Sequence, residues 1–109
     1  MATGIATQYN LGPVSVIPAG EGRMFRVGCT EVAVFRAKDG TVYATQSLCP
    51  HKQGPLADGI MGSGLIICPL HGFKFELATG LPVGSDCEAL KTYSASVSDT
   101  GELLLDFDD

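Results

Sequence analysis

Two short cysteine–histidine clusters limit what this chain can fold into more than any other feature of its sequence. The first, Cys49-Pro50-His51, reads C-x-H, and the second, Cys68-Pro69-Leu70-His71, reads C-x-x-H after a gap of sixteen residues. The chain has only two histidines, and both belong to these clusters. Two thiolates and two imidazoles form a good ligand set for a soft or borderline metal. The fold is therefore expected to bring the two clusters together around a metal centre.

The rest of the sequence predicts a small all-β domain. Its 109 residues are 45% hydrophobic, which is enough for one modest core. Short β-rich stretches alternate with turn signals such as Asp39-Gly40 and Asp99-Thr100-Gly101, and no stretch has a convincing helical period. The predicted strands cover residues 23–27, 31–37, 41–46, 65–68, 73–77, 90–97 and 102–107. We therefore predict a β-sandwich or small barrel formed by a single domain, residues 1–109.

Residues 47–84 differ in composition from this framework. They hold four of the six prolines and seven of the fourteen glycines. The first ligand pair is predicted on a loop after one strand, and the second on a tight loop between two strands. Two such loops, tip to tip, can hold a small cofactor. We interpret residues 47–84 as a cluster-binding subdomain inserted in the β framework.

Charge and cysteine content restrict the partners and the cellular location. The net charge of −5 disfavours nucleic-acid binding and fits a basic docking patch on a protein partner. No apolar run has membrane-spanning length, and the first residues do not read as a signal peptide, so a cytoplasmic location is expected. In that reducing compartment we expect Cys29 and Cys87 to be small buried side chains rather than a disulfide.

Four interpretations of the ligand set remain open at this point. The residues lie together by chance, hold a structural zinc, hold a mononuclear catalytic metal, or hold a two-iron, two-sulfide cluster. Zinc accepts two cysteines and two histidines, but zinc fingers usually pair like ligands, whereas here each loop supplies one of each. A mononuclear catalytic site needs an open position, and no further histidine is available. Mixed ligation of a [2Fe-2S] cluster fits the pattern best.

With this pattern, the sequence resembles the Rieske family from roughly Gly20 to the C-terminus. The resemblance implies that Cys49 and Cys68 bind the inner iron of a [2Fe-2S] cluster. It implies that His51 and His71 bind the outer iron near the surface. Residues 81–84 are expected to form a third covering loop. The residues expected to shape or cover the cluster loops are Pro50, Gly54, Pro55, Pro69, Gly72 and Pro82.

The neighbours of the ligands predict a low reduction potential. Rieske centres span roughly −150 to +300 mV. High-potential members carry an extra cysteine in each loop, and a serine and a tyrosine that donate hydrogen bonds toward the cluster. This chain has Leu70, Phe73 and Phe75 at the corresponding positions, so one loop lacks the bridging cysteine and both hydroxyl groups are missing. We therefore expect a potential at the low end of the range.

The chain has too few ligands for substrate chemistry of its own, because no histidine is left for a second iron site. It is therefore predicted to be a one-electron carrier that serves a larger redox enzyme or reductase. The stretches 49–56, 86–87 and 90–93 look like the small subunit of NAD(P)H-dependent nitrite reductase, which implies a role in nitrate assimilation. The alternative is the ferredoxin component of an aromatic ring-hydroxylating dioxygenase, which shares residues 68–71 and 90–93 but more often has Gly where this chain has Lys52. A structural zinc module is a minor alternative.

Overall fold

The computed structural model describes residues 6–50, 54–69 and 72–108, and these ranges are almost entirely β-structure. They contain two three-residue 3₁₀ helices, Val14–Val16 and Leu56–Asp58, and none of their helices is long and apolar enough to cross a membrane. The all-β prediction is confirmed. The ten strands are β1 (Ala6–Pro13), β2 (Glu21–Val27), β3 (Thr30–Arg36), β4 (Val42–Gln46), β5 (Ile60–Gly62), β6 (Leu65–Ile67), β7 (Lys74–Glu76), β8 (Pro82–Val83), β9 (Thr92–Val97) and β10 (Glu102–Asp108).

The larger sheet has six antiparallel strands in the order β1-β10-β9-β4-β3-β2. Strands β3 and β4 form the hairpin that the Asp39-Gly40 signal predicts. Gly40 has a φ of +96°, and the Asp39 carboxylate accepts a hydrogen bond from the Thr41 backbone N–H at 2.9 Å. Glycine accepts this left-handed conformation at little cost, which is why it ends the turn.

The smaller sheet has four antiparallel strands in the order β5-β6-β7-β8, and it lies between β4 and β9 in the chain. It falls inside the 47–84 region that composition singles out. The two residues between β5 and β6, Ser63 and Gly64, have φ values of +52° and +77°. Two successive positive values are typical of a type I′ turn, whose twist matches that of an antiparallel hairpin.

Strand β3 connects the two halves of the core because it is buried on both faces. Side chains of a strand alternate between its faces, and Val32 and Val34 lie in one apolar cluster while Ala33 and Phe35 lie in the other. The first cluster also contains Leu103 and Leu105 of β10, so the six-stranded sheet curls around it. The second cluster lies between β3 and the smaller sheet, and it contains both cysteines of the predicted site.

Three strands differ from the sequence prediction. Strands β1 and β5 were not expected, because Ala6–Pro13 contains Gly12 and Pro13 and Ile60–Gly62 is only three residues long. Residues 81–84 were expected to form a covering loop, and this is wrong in part. Pro82 and Val83 form β8, which pairs with Phe75 and Lys74 of β7. A proline is compatible with this position because β8 is an edge strand and needs no donor on its outer side.

Candidate metal centre

Cys49 lies on a loop that begins directly after β4. The base of this loop is closed by an isolated bridge between Leu48 and Pro55. The Cys49 backbone N–H donates a hydrogen bond to the Gly54 carbonyl at 2.8 Å, and Leu56 N–H donates to the Ser47 carbonyl at 2.9 Å. Cys49 itself is 0% exposed. The loop thus holds its cysteine inside the protein.

Cys68 lies on a second and tighter loop, between β6 and β7. Its backbone N–H donates to the Phe73 carbonyl at 2.8 Å, and Gly72 N–H donates to the Cys68 carbonyl at 3.1 Å. Gly72 has a φ of +72°, which reverses the chain without steric cost. Cys68 is 2% exposed, so both loops direct a cysteine inward.

The two cysteines belong to the same buried apolar cluster, and neither forms a disulfide. Buried, unbridged thiols on two facing loops fit the sulfur half of a mixed-ligand iron–sulfur centre. Among the described residues, no group of three or more Cys, His, Asp and Glu side chains is placed to hold a metal ion. The other members of this cysteine cluster are Ala33, Phe35, Leu56, Ile66, Phe75, Leu77 and Leu90.

His51 and His71 lie outside the described residues, as do Lys52 and Leu70. Each histidine lies within three positions of a buried cysteine in the sequence. Their role as ligands of the outer iron stays a prediction.

The residues expected to support the loops fall into two groups. Gly54 is buried and accepts the Cys49 amide, Pro50 and Pro82 are half-buried, and Leu56, next to Pro55, is fully buried beside the cysteines. The remaining ones, Pro55, Pro69 and Gly72, are exposed on the outer side of the loops. Their contribution is to the path of the backbone, and their role at a cluster remains predicted.

The two phenylalanines that replace hydroxyl-bearing residues of high-potential Rieske proteins lie close to this site. Phe75 is 0% exposed and belongs to the cysteine cluster, and Phe73 is half-buried and packs against it. Neither ring carries a hydroxyl donor. The apolar character expected at these positions is therefore present in the packing around the cysteines.

The two cysteines outside the motifs behave differently from each other. Cys87 is half-buried and packs against the cysteine cluster, whereas Cys29 is exposed in the turn between β2 and β3. The prediction that both are buried is therefore wrong for Cys29, because the tight turn at Gly28 leaves it no core to face. Neither forms a disulfide, as expected.

One residue that the motifs do not single out holds the first loop in place. The side chain of Gln46, the last residue of β4, bonds the Leu48 carbonyl at 2.7 Å and the Lys91 backbone N–H at 2.8 Å. Its only sequence signal is its position, three residues before Cys49 at the end of a strand.

Comparison with known protein families and sequences gives consistent matches. The profile of the Rieske [2Fe-2S] domain matches residues 7–94. The chain is 40% identical over 65 residues to ferredoxin CarAc of Metapseudomonas resinovorans, covering 60% of each protein. It is 32% identical over 92 residues to the ferredoxin component of the naphthalene 1,2-dioxygenase/salicylate 5-hydroxylase systems of a Ralstonia species, covering 81% of this chain and 85% of that protein. It is 37% identical over 78 residues to nitrite reductase [NAD(P)H] of Emericella nidulans, covering 66% of this chain and 7% of that protein.

Solved structures share the same fold. A structure described as the NADH-dependent nitrite reductase small subunit of Mycobacterium tuberculosis superposes with a TM-score of 0.88 at 21% identity, covering 96% of this chain and 98% of that one. The ferredoxin of carbazole 1,9a-dioxygenase from Nocardioides aromaticivorans IC177 superposes with a TM-score of 0.82 at 30% identity, covering 94% and 99%.

Proposed function

Because the chain belongs to the Rieske [2Fe-2S] domain family, we propose that Cys49, His51, Cys68 and His71 hold its cluster. A Rieske electron-transfer domain carries a [2Fe-2S] cluster with cysteine and histidine ligands, and this identity replaces the structural zinc module considered above. The cluster, when bound, supplies one-electron redox chemistry. The observation that carries the proposal is the burial of Cys49 and Cys68 in one apolar cluster on two separate loops.

The protein's own residues provide the environment in which that chemistry takes place. The cysteines share their cluster with buried aliphatic and aromatic side chains, and positions 73 and 75 offer no hydroxyl donor. Two neutral imidazoles leave the oxidised centre less negative than four thiolates do, which places the potential above that of all-cysteine clusters. We propose a midpoint in the lower part of the Rieske range, and a value above about +150 mV would contradict this.

The proposal also assigns cluster binding to one part of the chain. Residues 47–84 act as the cluster-binding subdomain of a single domain, residues 1–109. The smaller sheet, β5 to β8, and both cysteine loops lie in this segment, which supports the division.

We propose that the larger partner is a cytoplasmic NAD(P)H-dependent nitrite reductase, for which this chain is the electron-transfer small subunit in nitrate assimilation. The first-loop sequence, residues 49–56, supports this assignment. The local identity with the Emericella nidulans nitrite reductase, in an alignment that covers 7% of the fungal enzyme, agrees with it. The partner assignment rests on the loop sequence and this local identity, and the superposition with the Mycobacterium tuberculosis structure, at 21% identity, carries the fold alone.

The second candidate is the ferredoxin component of an aromatic ring-hydroxylating dioxygenase. A specific observation favours it: the Ralstonia ferredoxin component aligns with most of both chains at 32% identity. The alignment with ferredoxin CarAc has a higher identity of 40% but spans 60% of that protein. The two candidates share the cluster and the one-electron role, and differ only in the enzyme that receives the electron.

The two candidate functions can be distinguished by measuring electron transfer from this protein to each kind of partner. The protein is purified without oxygen, its iron and acid-labile sulfide are measured, and it is then reduced. The reduced protein is mixed in a stopped-flow instrument with a sirohaem-containing nitrite reductase large subunit, and separately with a terminal oxygenase from the same organism. Fast reoxidation by the large subunit alone is expected, and reoxidation by the oxygenase alone would select the second candidate. Protein without iron or sulfide would contradict both.

A further inference from the structure

A connected set of hydrogen bonds joins the first cysteine loop to the smaller sheet, and Gln46 lies at its centre. The Gln46 side-chain Nε2 donates to the Leu48 carbonyl at 2.7 Å, and its Oε1 accepts from the Lys91 N–H at 2.8 Å. The Gln46 backbone N–H donates to the Lys91 carbonyl at 2.8 Å. Leu90, the residue before Lys91, donates its backbone N–H to the Gly80 carbonyl at 2.7 Å.

These bonds connect the backbones on either side of the site. Leu48 is the residue before Cys49, and Gly80 lies in the turn between β7 and β8, on the hairpin that follows Cys68. The β4–β9 pairs run through Ala44↔Tyr93 and Thr45↔Thr92, and the chain then leaves the sheet to form the loop. The side chain of Gln46 continues this pairing by one residue, because it accepts a hydrogen bond from the Lys91 N–H and donates one to the Leu48 carbonyl.

We propose that Gln46 is a positioning residue that fixes the first cysteine loop relative to the second. This inference rests on the proposed role of Cys49 and Cys68 as cluster ligands. The role fits a glutamine, because among unbranched side chains of this length only the amide carries both an N–H donor for the Leu48 carbonyl and an oxygen acceptor for the Lys91 N–H. A glutamate carboxylate retains the acceptor and loses the N–H donor. A methionine thioether of similar length has no donor, and its sulfur is only a weak acceptor.

Two substitutions therefore distinguish the contributions of the two side-chain hydrogen bonds of Gln46. Gln46→Glu keeps the bond from Lys91 N–H and loses the bond to the Leu48 carbonyl, whereas Gln46→Met loses both. The matched controls are Gln8→Glu and Gln8→Met. Gln8 also donates a side-chain hydrogen bond, to Asp106 at 3.2 Å, but it lies on β1, which pairs only with β10 at the far edge of the larger sheet.

The experiment measures three quantities on anaerobically purified full-length protein. These are the rate of iron loss to a chelator, the electron paramagnetic resonance spectrum of the reduced protein, and amide hydrogen exchange at residues 49 and 91. Loss of one net hydrogen bond is expected to accelerate the affected step about fivefold to tenfold. Gln46→Glu should lose iron faster by that factor and Gln46→Met by at least as much, and both should show shifted g values. Exchange at Lys91 should accelerate only in Gln46→Met, and the Gln8 variants should match the wild type.

The inference is overturned if Gln46→Glu keeps the wild-type rate of iron loss and the wild-type spectrum. That variant decides the matter even where Gln46→Met does not fold. A wild type that takes up no iron would refute the proposed function instead. In that case exchange at the Cys49 amide of the full chain still tests Gln46: faster exchange in both variants supports the positioning role, and unchanged exchange refutes it.

Discussion

Replacing Gly80 by alanine should destabilise the protein for two separable reasons. Gly80 is buried with a φ of +80°, a conformation that costs an alanine about 1–2 kcal/mol. An added Cβ would also clash with the Leu90 backbone oxygen, so that the segment around Leu90, which precedes β9, has to move. Moving it weakens the Leu90–Gly80 hydrogen bond, at a cost of about 1–2 kcal/mol. The expected total is roughly 2–4 kcal/mol.

A matched control isolates the contact from the backbone conformation. Gly101 has a nearly identical φ of +83°, but nothing lies within 4 Å of the Cβ that alanine would place there. Gly101→Ala should therefore cost only the conformational term, about 1–2 kcal/mol. The difference between the two variants, about 1–2 kcal/mol, measures the approach of Leu90 to Gly80.

Urea unfolding of the cluster-loaded protein, followed by circular dichroism under anaerobic conditions, provides the assay. With about 4–8 °C per kcal/mol for a domain of this size, thermal unfolding should show Gly80→Ala melting about 8–32 °C below the wild type. Unchanged urea m-values would indicate that the variants change stability without changing the surface exposed on unfolding. If Gly80→Ala and Gly101→Ala were equally destabilised, the close packing of the Leu90 segment on the smaller sheet would be refuted.

Three further predictions concern the site and the turns. Cys49→Ser should remove iron and acid-labile sulfide while Cys29→Ser leaves both unchanged, and iron retained in Cys49→Ser would contradict the ligand assignment. Ser63→Asn should raise the melting temperature by about 2–4 °C, because asparagine tolerates a positive φ better than serine, and a lower value would argue against the type I′ turn. The hydrogen bond from the Thr41 backbone N–H holds the pKa of Asp39 below its ordinary value. This stabilisation is present above the ordinary pKa and disappears as the pH falls through the lowered one. The urea midpoint should therefore drop more between pH 5 and pH 2 in the wild type than in Asp39→Ala, and equal drops would refute the contribution.

The fold class could be read from the sequence where a strand carries its own signal. The β-rich apolar run in Thr30–Arg36 and the Asp39-Gly40 turn identify β3 and its hairpin without knowledge of the rest. Strand β1 is different, because the alternation in Ala6–Pro13 is short and runs into Gly12 and Pro13, and pairing with β10 is what makes it a strand. Strand β8 likewise exists because Pro82 and Val83 meet β7. Long-range pairing of this kind leaves no trace in the local sequence.

The candidate site, like the fold, could be predicted from the sequence only in part. The spacing of Cys49 and Cys68 was sufficient to place each cysteine on its loop, because both motifs follow readable strands. The role of Gln46 could not be predicted, because it depends on Lys91, which lies 45 positions away in the chain. The exposure of Cys29 was mispredicted because residue type indicates average burial, whereas a turn position decides the individual case.

The central claim is that one iron of the centre is bound by two histidine nitrogens and the other by two cysteine sulfurs. Pulsed electron paramagnetic resonance on the reduced protein, with and without ¹⁵N-labelled histidine, tests it most directly. We expect two strong histidine nitrogen couplings that change with the label, with one lost in His51→Cys and the other in His71→Cys. A reduced spectrum without histidine nitrogen coupling would contradict the claim.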